Sequence, residues 1–240
     1  MTDLSQVTAV ILAGGLGTHL QGVVSDRPKV MAEINGKPFI TYLLDQLVAT
    51  GFGRVIISTG YMANIVEDTI GARYKHLHVD YSQEETPLGT AGALKLARQT
   101  IDTEYCLVMN GDSFVEFVPV ALFLFHRSKG AEITILVKSV SDTNRYGTIE
   151  MNAENEIVQF REKGSAGGSG LMNAGVYLIE TGVLETIPEI SPFSFEYDFF
   201  PCFTGKGLYG WETDGRFIDI GTPASSATAE MFFGCKPVTE

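Results

Sequence analysis

Four short runs rich in β-branched and other apolar side chains, at 7–13, 54–59, 77–81 and 105–109, alternate with segments of helical period. Runs of this length and composition read as strands buried on both faces, which is the habit of a parallel sheet. The segments between them supply the covering helices. Phe39, Ile40, Leu43, Leu44, Leu47 and Val48 fall on one helical stripe, with Pro38 suited to the first turn and Gly51 to the C-terminal cap. A second helix is expected over 62–70 and a third over 90–101, with Ala93, Leu94, Ala97 and Ile101 turned inward. This order predicts an α/β fold, a Rossmann-like, doubly wound, mainly parallel mixed sheet flanked by helices. Ligands of such sheets sit at the carboxyl ends of the strands. The loops after the first, third and fourth runs are therefore the candidate functional loops.

Beyond this half the pattern changes. A helix over 119–128 and a strand over 132–138 lead into short β segments at 147–151, 157–161, 174–180, 208–212 and 216–220, a small β region in the C-terminal half. A closing helix starts near Pro223, with Phe232 and Phe233 expected to pack inward. The stretch GSAGGSG at 164–170 lacks side chains to pack and is expected to be a mobile loop rather than a linker. No repeat divides the chain, so residues 1–240 are expected to form one domain.

Charge narrows the partners. Seventeen basic against 29 acidic side chains give a net charge of -12, which repels polyphosphate backbones and excludes nucleic acid as the expected partner. A small anion then needs local help from a metal ion or converging cations. Cys106, Cys202 and Cys235 lack the paired spacing of a structural zinc site and are expected to be buried thiols. The apolar run 7–13 is too short to cross a bilayer and no basic segment precedes it, so a cytoplasmic location without membrane attachment is expected.

The first strand opens into Ala13, Gly14, Gly15, Leu16, Gly17, Thr18, His19 and Leu20. Three glycines let backbone N–H groups approach an anion, although glycines alone equally make a plain turn. Leu20 spoils a dinucleotide fingerprint, and no Gly-Lys-Ser/Thr follows to make a P-loop. Arg27, Pro28 and Lys29 come next, either as solvated charges or as cations brought to the same anion. Asp112 ends the apolar run 105–109 within Asn110-Gly111-Asp112, and Asp219 precedes Gly221 at the end of a second strand. Each alone is a turn cap or a metal ligand; together they favour a metal, and hard oxygen donors favour Mg2+ over zinc.

LAGGLGTHL followed by DRPKVMAEINGKPFI closely resembles the signature of the sugar nucleotidyltransferase family. The likeness continues through TPLGTAGAL at 86–94, NGD at 110–112, EK at 162–163, NAG at 173–175 and FIDIGTP at 217–223. It implies a glycosyltransferase-A-like domain whose nucleotide-binding half spans about 1–115 and whose sugar-phosphate half spans about 116–240. It further implies a nucleoside triphosphate contacted by Leu12, Ala13, Gly14, Gly15, Gly17, Thr18, Lys29, Glu84, Pro87, Gly89, Thr90 and Gly111. A sugar 1-phosphate would meet Tyr146, Gly147, Glu162, Lys163, Asn173 and Gly175. By the same resemblance Asp112 and Asp219 hold Mg2+, and Lys29, Asp112, Lys163 and His19 are the catalytic set. Guanine needs hydrogen-bond acceptors, which Glu84, Glu85 or nearby carbonyls supply; thymine and uracil need one too. MNAGVYLIE at 172–180 and PFSFEYDFFP at 192–201 look most like the heptose-1-phosphate guanylyltransferase branch, which favours GTP. Mannose-1-phosphate guanylyltransferases and hexose-1-phosphate thymidylyl- or uridylyltransferases are the alternatives, with a catalytically weakened nucleotide-sugar-binding regulator as the reading of another class.

The family's loop carries arginine where this chain has His19. Arginine offers a permanently charged, planar fork, whereas histidine near neutral pH is mostly uncharged unless bound phosphate raises its pKa. Weakened activation of the triphosphate follows, and a His19→Arg variant is expected to turn over faster. No gain in turnover at saturating magnesium would contradict this.

Overall fold

The computed structural model describes residues 4–15, 27–143, 146–161, 168–189, 192–221 and 223–234. His19, Gly17, Thr18, Glu162, Lys163, Cys235 and most of the GSAGGSG stretch lie outside them. In chain order the elements begin with β1 (Val7–Leu12), a hairpin of β2 (Glu33–Ile34) and β3 (Lys37–Pro38), α1 (Ile40–Ala49), β4 (Arg54–Thr59) and α2 (Ala63–Ile70). There follow β5 (Arg73–Tyr74), β6 (Leu77–Gln83), α3 (Gly89–Ala97), β7 (Tyr105–Asn110), β8 (Ser113–Val115) and α4 (Pro119–Lys129). The second half adds β9 (Ile133–Val140), β10 (Thr148–Met151), β11 (Ile157–Arg161), β12 (Gly170–Glu180), β13 (Leu208–Glu212), β14 (Phe217–Asp219) and α5 (Pro223–Gly234).

Among these residues one ten-stranded sheet runs β11-β10-β12-β7-β1-β4-β6-β5, with β9 beside β12 and β13 beside β9. Its centre, β7, β1, β4 and β6, is parallel, and β12 joins β7 antiparallel. Alternation along each central strand sends side chains to two cores. Ala9 and Ile11 of β1, Val55 and Ile57 of β4, and Leu107 and Met109 of β7 face α1, α2 and α4. Val10, Ile56, Cys106 and Val108 face α3. Both faces are thus covered, which is why the strands read as continuous apolar runs.

On α1, Ile40, Leu43, Leu44 and Leu47 are at most 1% exposed, and each contributes about 1.5–3 kcal/mol by burial. Phe233 of α5 stacks on Tyr42 with ring centroids 3.7 Å apart, and Phe232 also packs against the core. β6 is less buried than β4, because only the two-residue β5 lies beyond it at the sheet edge.

Two expectations are corrected. Pro38 belongs to β3, and α1 begins after Phe39. Asn35 and Gly36 both take positive φ (51° and 77°), the mark of a tight hairpin turn, and that turn claims the segment before the helix can start. Cys202 is exposed, on a short turn whose buried face is taken by Phe199 and Phe200, while Cys106 is buried. No helix of the described residues is long and apolar enough to cross a membrane.

His126 of α4 is 1% exposed, and its Nδ1 lies 2.8 Å from the Thr134 hydroxyl. Burial, aided by the Arg127 charge, pulls its pKa from 6.5 to about 4. The unfolded chain therefore binds the extra proton first, so this contribution is intact above pH 6.5 and is lost as pH falls through about 4. Denaturant titrations across that window are expected to show a His126 component approaching about 1.4 kcal/mol per pH unit, absent from His126→Gln. A variant that keeps the full wild-type slope would contradict it.

Candidate active site

Register brings the strand ends together. Leu12, the last residue of β1, pairs with Ser58 of β4 on one side and Asn110 of β7 on the other. The chain beyond is pinned by Ala13 N–H donating to the Ser58 carbonyl (2.7 Å) and Gly111 N–H donating to the Leu12 carbonyl (2.9 Å). Gly14, Gly15 and the Asn110-Gly111-Asp112 turn therefore leave the sheet side by side, at the carboxyl ends of parallel strands.

Lys29 arrives through a one-turn 3-10 helix, Lys29–Met31, whose Val30 and Met31 are buried. Its ammonium donates to Asp112 Oδ2 at 2.6 Å, with the lysine side chain 15% exposed and the aspartate 46%. So little water reaches the lysine that an opposite charge beside it is needed to offset desolvation.

The second aspartate is delivered by a two-stranded sheet. β14 pairs antiparallel with β8, setting Asp219 opposite Ser113, and Ile220 N–H donates to the Asp112 carbonyl (2.9 Å). Asp219 Oδ1 accepts from Gly221 N–H at 2.9 Å, and Oδ2 accepts from the Tyr146 hydroxyl at 2.7 Å. A Cβ on Gly221 would lie 2.9 Å from Asp219 Oδ1 and 3.5 Å from Lys29 Nζ, so the lysine and Asp219 flank one glycine. Lys29, Asp112, Asp219 and Tyr146 thus share one neighbourhood.

The donor set suits Mg2+. Asp112 and Asp219 offer carboxylate oxygens, and no group of three or more His, Cys, Asp or Glu able to hold a metal ion occurs among the described residues. Mg2+ takes one or two protein carboxylates and completes its shell with phosphate and water, whereas zinc sites are built mainly on Cys sulfur and His nitrogen.

On the other flank, Glu84 leans over the end of the sheet. Its backbone N–H donates to the Thr59 carbonyl at 2.9 Å, and its Oε2 accepts from Leu88 N–H at 3.1 Å. A Cβ at Gly14 or Gly60 would come within 2.6 or 2.8 Å of Oε1, so only glycine leaves the carboxylate its place. Burial raises its pKa above the usual carboxylate range. Glu85, the other candidate acceptor, is exposed.

Pro87 and Thr90 are exposed, while Gly89 takes φ +75° with its α-carbon against the Phe193 backbone, where a Cβ would clash at 2.6 Å. The Thr90 hydroxyl accepts from Phe195 N–H at 2.9 Å. The 86–94 stretch is therefore braced by residues 193–195. Asn173 donates to the Tyr177 phenol oxygen and to Glu196 Oε1, each at 3.0 Å, and its Oδ1 accepts from Gly175 N–H at 2.9 Å. Gly147 is half-buried beside Tyr146.

Gly60, Tyr177 and Glu196 escaped the sequence reading. A phenol inside the otherwise apolar stretch 174–179 was the available signal for Tyr177. The other two depend on contacts between segments far apart in the chain.

The chain matches the family model described as nucleotidyl transferase over residues 8–234. It is 39% identical over 216 residues to the D-glycero-alpha-D-manno-heptose 1-phosphate guanylyltransferase of Aneurinibacillus thermoaerophilus, covering 90% of this chain and 93% of that protein. It is 32% identical to the mannose-1-phosphate guanylyltransferase of Mycobacterium tuberculosis, over 97% of this chain and 66% of the other. Among solved structures, HddC from Yersinia pseudotuberculosis superposes with a TM-score of 0.84 at 36% identity, covering 94% of this chain and 99% of HddC. A second HddC structure, complexed with GMP-PN, gives a TM-score of 0.83.

Proposed function

Because the chain belongs to the nucleotidyl transferase family, we propose that it joins GTP to D-glycero-α-D-manno-heptose 1-phosphate, giving GDP-heptose and pyrophosphate. The observation that carries this reading is the near full-length identity to an enzyme named for that reaction. The meeting of Lys29, Asp112 and Asp219 at the strand ends supports it. A cytoplasmic setting, where nucleoside triphosphates are made, accords with it, and such a product would serve as a precursor of bacterial surface polysaccharide.

The attacking group is a phosphate oxygen of the sugar 1-phosphate. It is already anionic and needs no general base, so the protein's task is alignment and charge compensation. A bond forms from that oxygen to the α-phosphorus of GTP as the bond to the bridging oxygen breaks, and its electron pair leaves with pyrophosphate. The amides of Gly14 and Gly15 face the phosphates, and Lys29, pre-paired with Asp112, offsets charge on the leaving group. Asp112 and Asp219 would hold Mg2+, which when bound supplies Lewis-acid polarisation of the phosphates. The Tyr146 hydroxyl keeps Asp219 turned toward that site. Glu84 accepts base N–H groups. By their motifs, Glu162 and Lys163 are assigned to a sugar hydroxyl and the sugar phosphate, and His19 to the triphosphate.

Mannose 1-phosphate is the second reading, favoured by the similarity to the mycobacterial enzyme. Pyrophosphate release measured for four NTPs, each paired with a panel of sugar 1-phosphates, decides between them. The highest kcat/KM is expected for GTP with heptose 1-phosphate. A maximum with mannose 1-phosphate would move the assignment to the second reading, and binding without release under every pairing would leave a regulator.

A further inference from the structure

Resting on the reading that this chain transfers a nucleotide to a sugar 1-phosphate, we infer that Glu196 selects the sugar. Its carboxylate accepts hydrogen bonds from sugar hydroxyls, and Asn173 positions it.

Glu196 lies on a π-helical turn, Phe195–Phe199, anchored from below and from one side. Phe195, Phe199 and Phe200 are at most 2% exposed, with Phe195 stacked on Phe200 and both packed against Tyr177. On the side of the base-binding stretch, Phe193 N–H donates to the Leu88 carbonyl (2.8 Å), and the Phe193 carbonyl accepts from Ala91 and Gly92 N–H (3.0 and 3.2 Å). Glu196 itself is exposed. A charged side chain on a backbone fixed at this many points is held out to solvent by its own turn rather than by a loose loop.

Asn173 explains its direction. Both amide N–H bonds of Asn173 go to protein oxygens, Tyr177 Oη and Glu196 Oε1, and its carbonyl oxygen holds Gly175 N–H. The amide therefore orients its neighbours. A carboxylate has about four lone-pair sites and no proton to donate, so it accepts from several donors at once. Sugar hydroxyls are donors, and their bonds to an ionised acceptor are the strong, charge-assisted kind.

Tyr177 ties the turn to the site already described. Its phenol oxygen also accepts from Asn110, at 3.5 Å, in the turn that carries Asp112. Burial first, then the Glu196 charge, and last that of Asp112, push the Tyr177 pKa up. Asn173 joins Glu196 to the Tyr177 phenol, and Asn110 joins that phenol to the turn of Asp112, so Glu196 lies on the Asp112 side of the sheet end. A sugar whose phosphate is near Asp112 and Asp219 has its hydroxyls within this neighbourhood.

The test is steady-state kinetics with the sugar 1-phosphate that the wild type turns over fastest. Glu196→Gln keeps an oxygen for Asn173, so the turn stays folded, but the ionised acceptor is gone. Its KM for the sugar 1-phosphate is expected to rise about tenfold, with KM for GTP within about twofold of wild type. The sugar penalty is expected to shrink for a deoxy analogue lacking the hydroxyl that Glu196 accepts, which a merely structural role would not produce. An equal rise in both KM values, a penalty that is the same for every deoxy analogue, or an unchanged sugar KM would overturn the assignment. Absence of pyrophosphate release from the wild type would overturn the underlying reaction instead, and is told apart because it is seen before any variant is made.

Discussion

The contact between Lys29 and Asp112 joins positions 83 residues apart, at 2.6 Å, with the ammonium largely withdrawn from water. Neither group is placed by its own segment alone. Lys29 depends on the short turn that buries Val30 and Met31, and Asp112 depends on β7 ending level with β1. Removing Asp112 would strand the lysine charge where little water reaches it, so the pair fixes how the loop after β1 meets the turn after β7. From this junction the rest of the site is laid out. Asp219 is brought up by the β8–β14 pairing on one flank, and Glu84 closes over Gly14 and Gly60 on the other.

The central architecture was legible because burial on both faces writes itself into the chain as unbroken apolar runs, and β1, β4 and β7 are such runs. The stripe of α1 was legible for the same reason at helical period. Its start was misread because Pro38 fits a helix's first turn as well as the end of a hairpin. The Asn35-Gly36 pair, with both residues at positive φ, was the overlooked sign. The second half was recognisable only as short β segments. Nothing periodic in 170–180 announces that it lies between β7 and β9, since that choice is made by tertiary packing and not by the strand's own pattern.

The site divides along similar lines. Glycines and carboxylates at strand ends are visible as residue types, and their motifs attach them to a chemistry. Their mutual geometry is not visible. That Tyr146 turns toward Asp219, and that Glu84 rather than Glu85 faces inward, are outcomes of register between distant segments. Residues 193–203 are the least legible of all. Their aromatics follow neither a two-residue nor a 3.6-residue period, because the segment folds as consecutive tight turns, including a π-helical one, over Tyr177. The negative charge of the whole chain and the lysine at the strand ends are reconciled in the same way. The field that repels long polyanions is opposed locally at the strand ends by the Lys29 ammonium and by backbone amides freed by glycine.

The claim on which this account rests is that Asp112 and Asp219 act as one unit. A double-mutant cycle on kcat, with Asp112→Asn, Asp219→Asn and the pair, measures that directly. Each single substitution is expected to cost nearly as much as both together, as for groups that serve one function jointly. Losses that simply multiply would mean that the two carboxylates work separately, and the proposed centre would not exist.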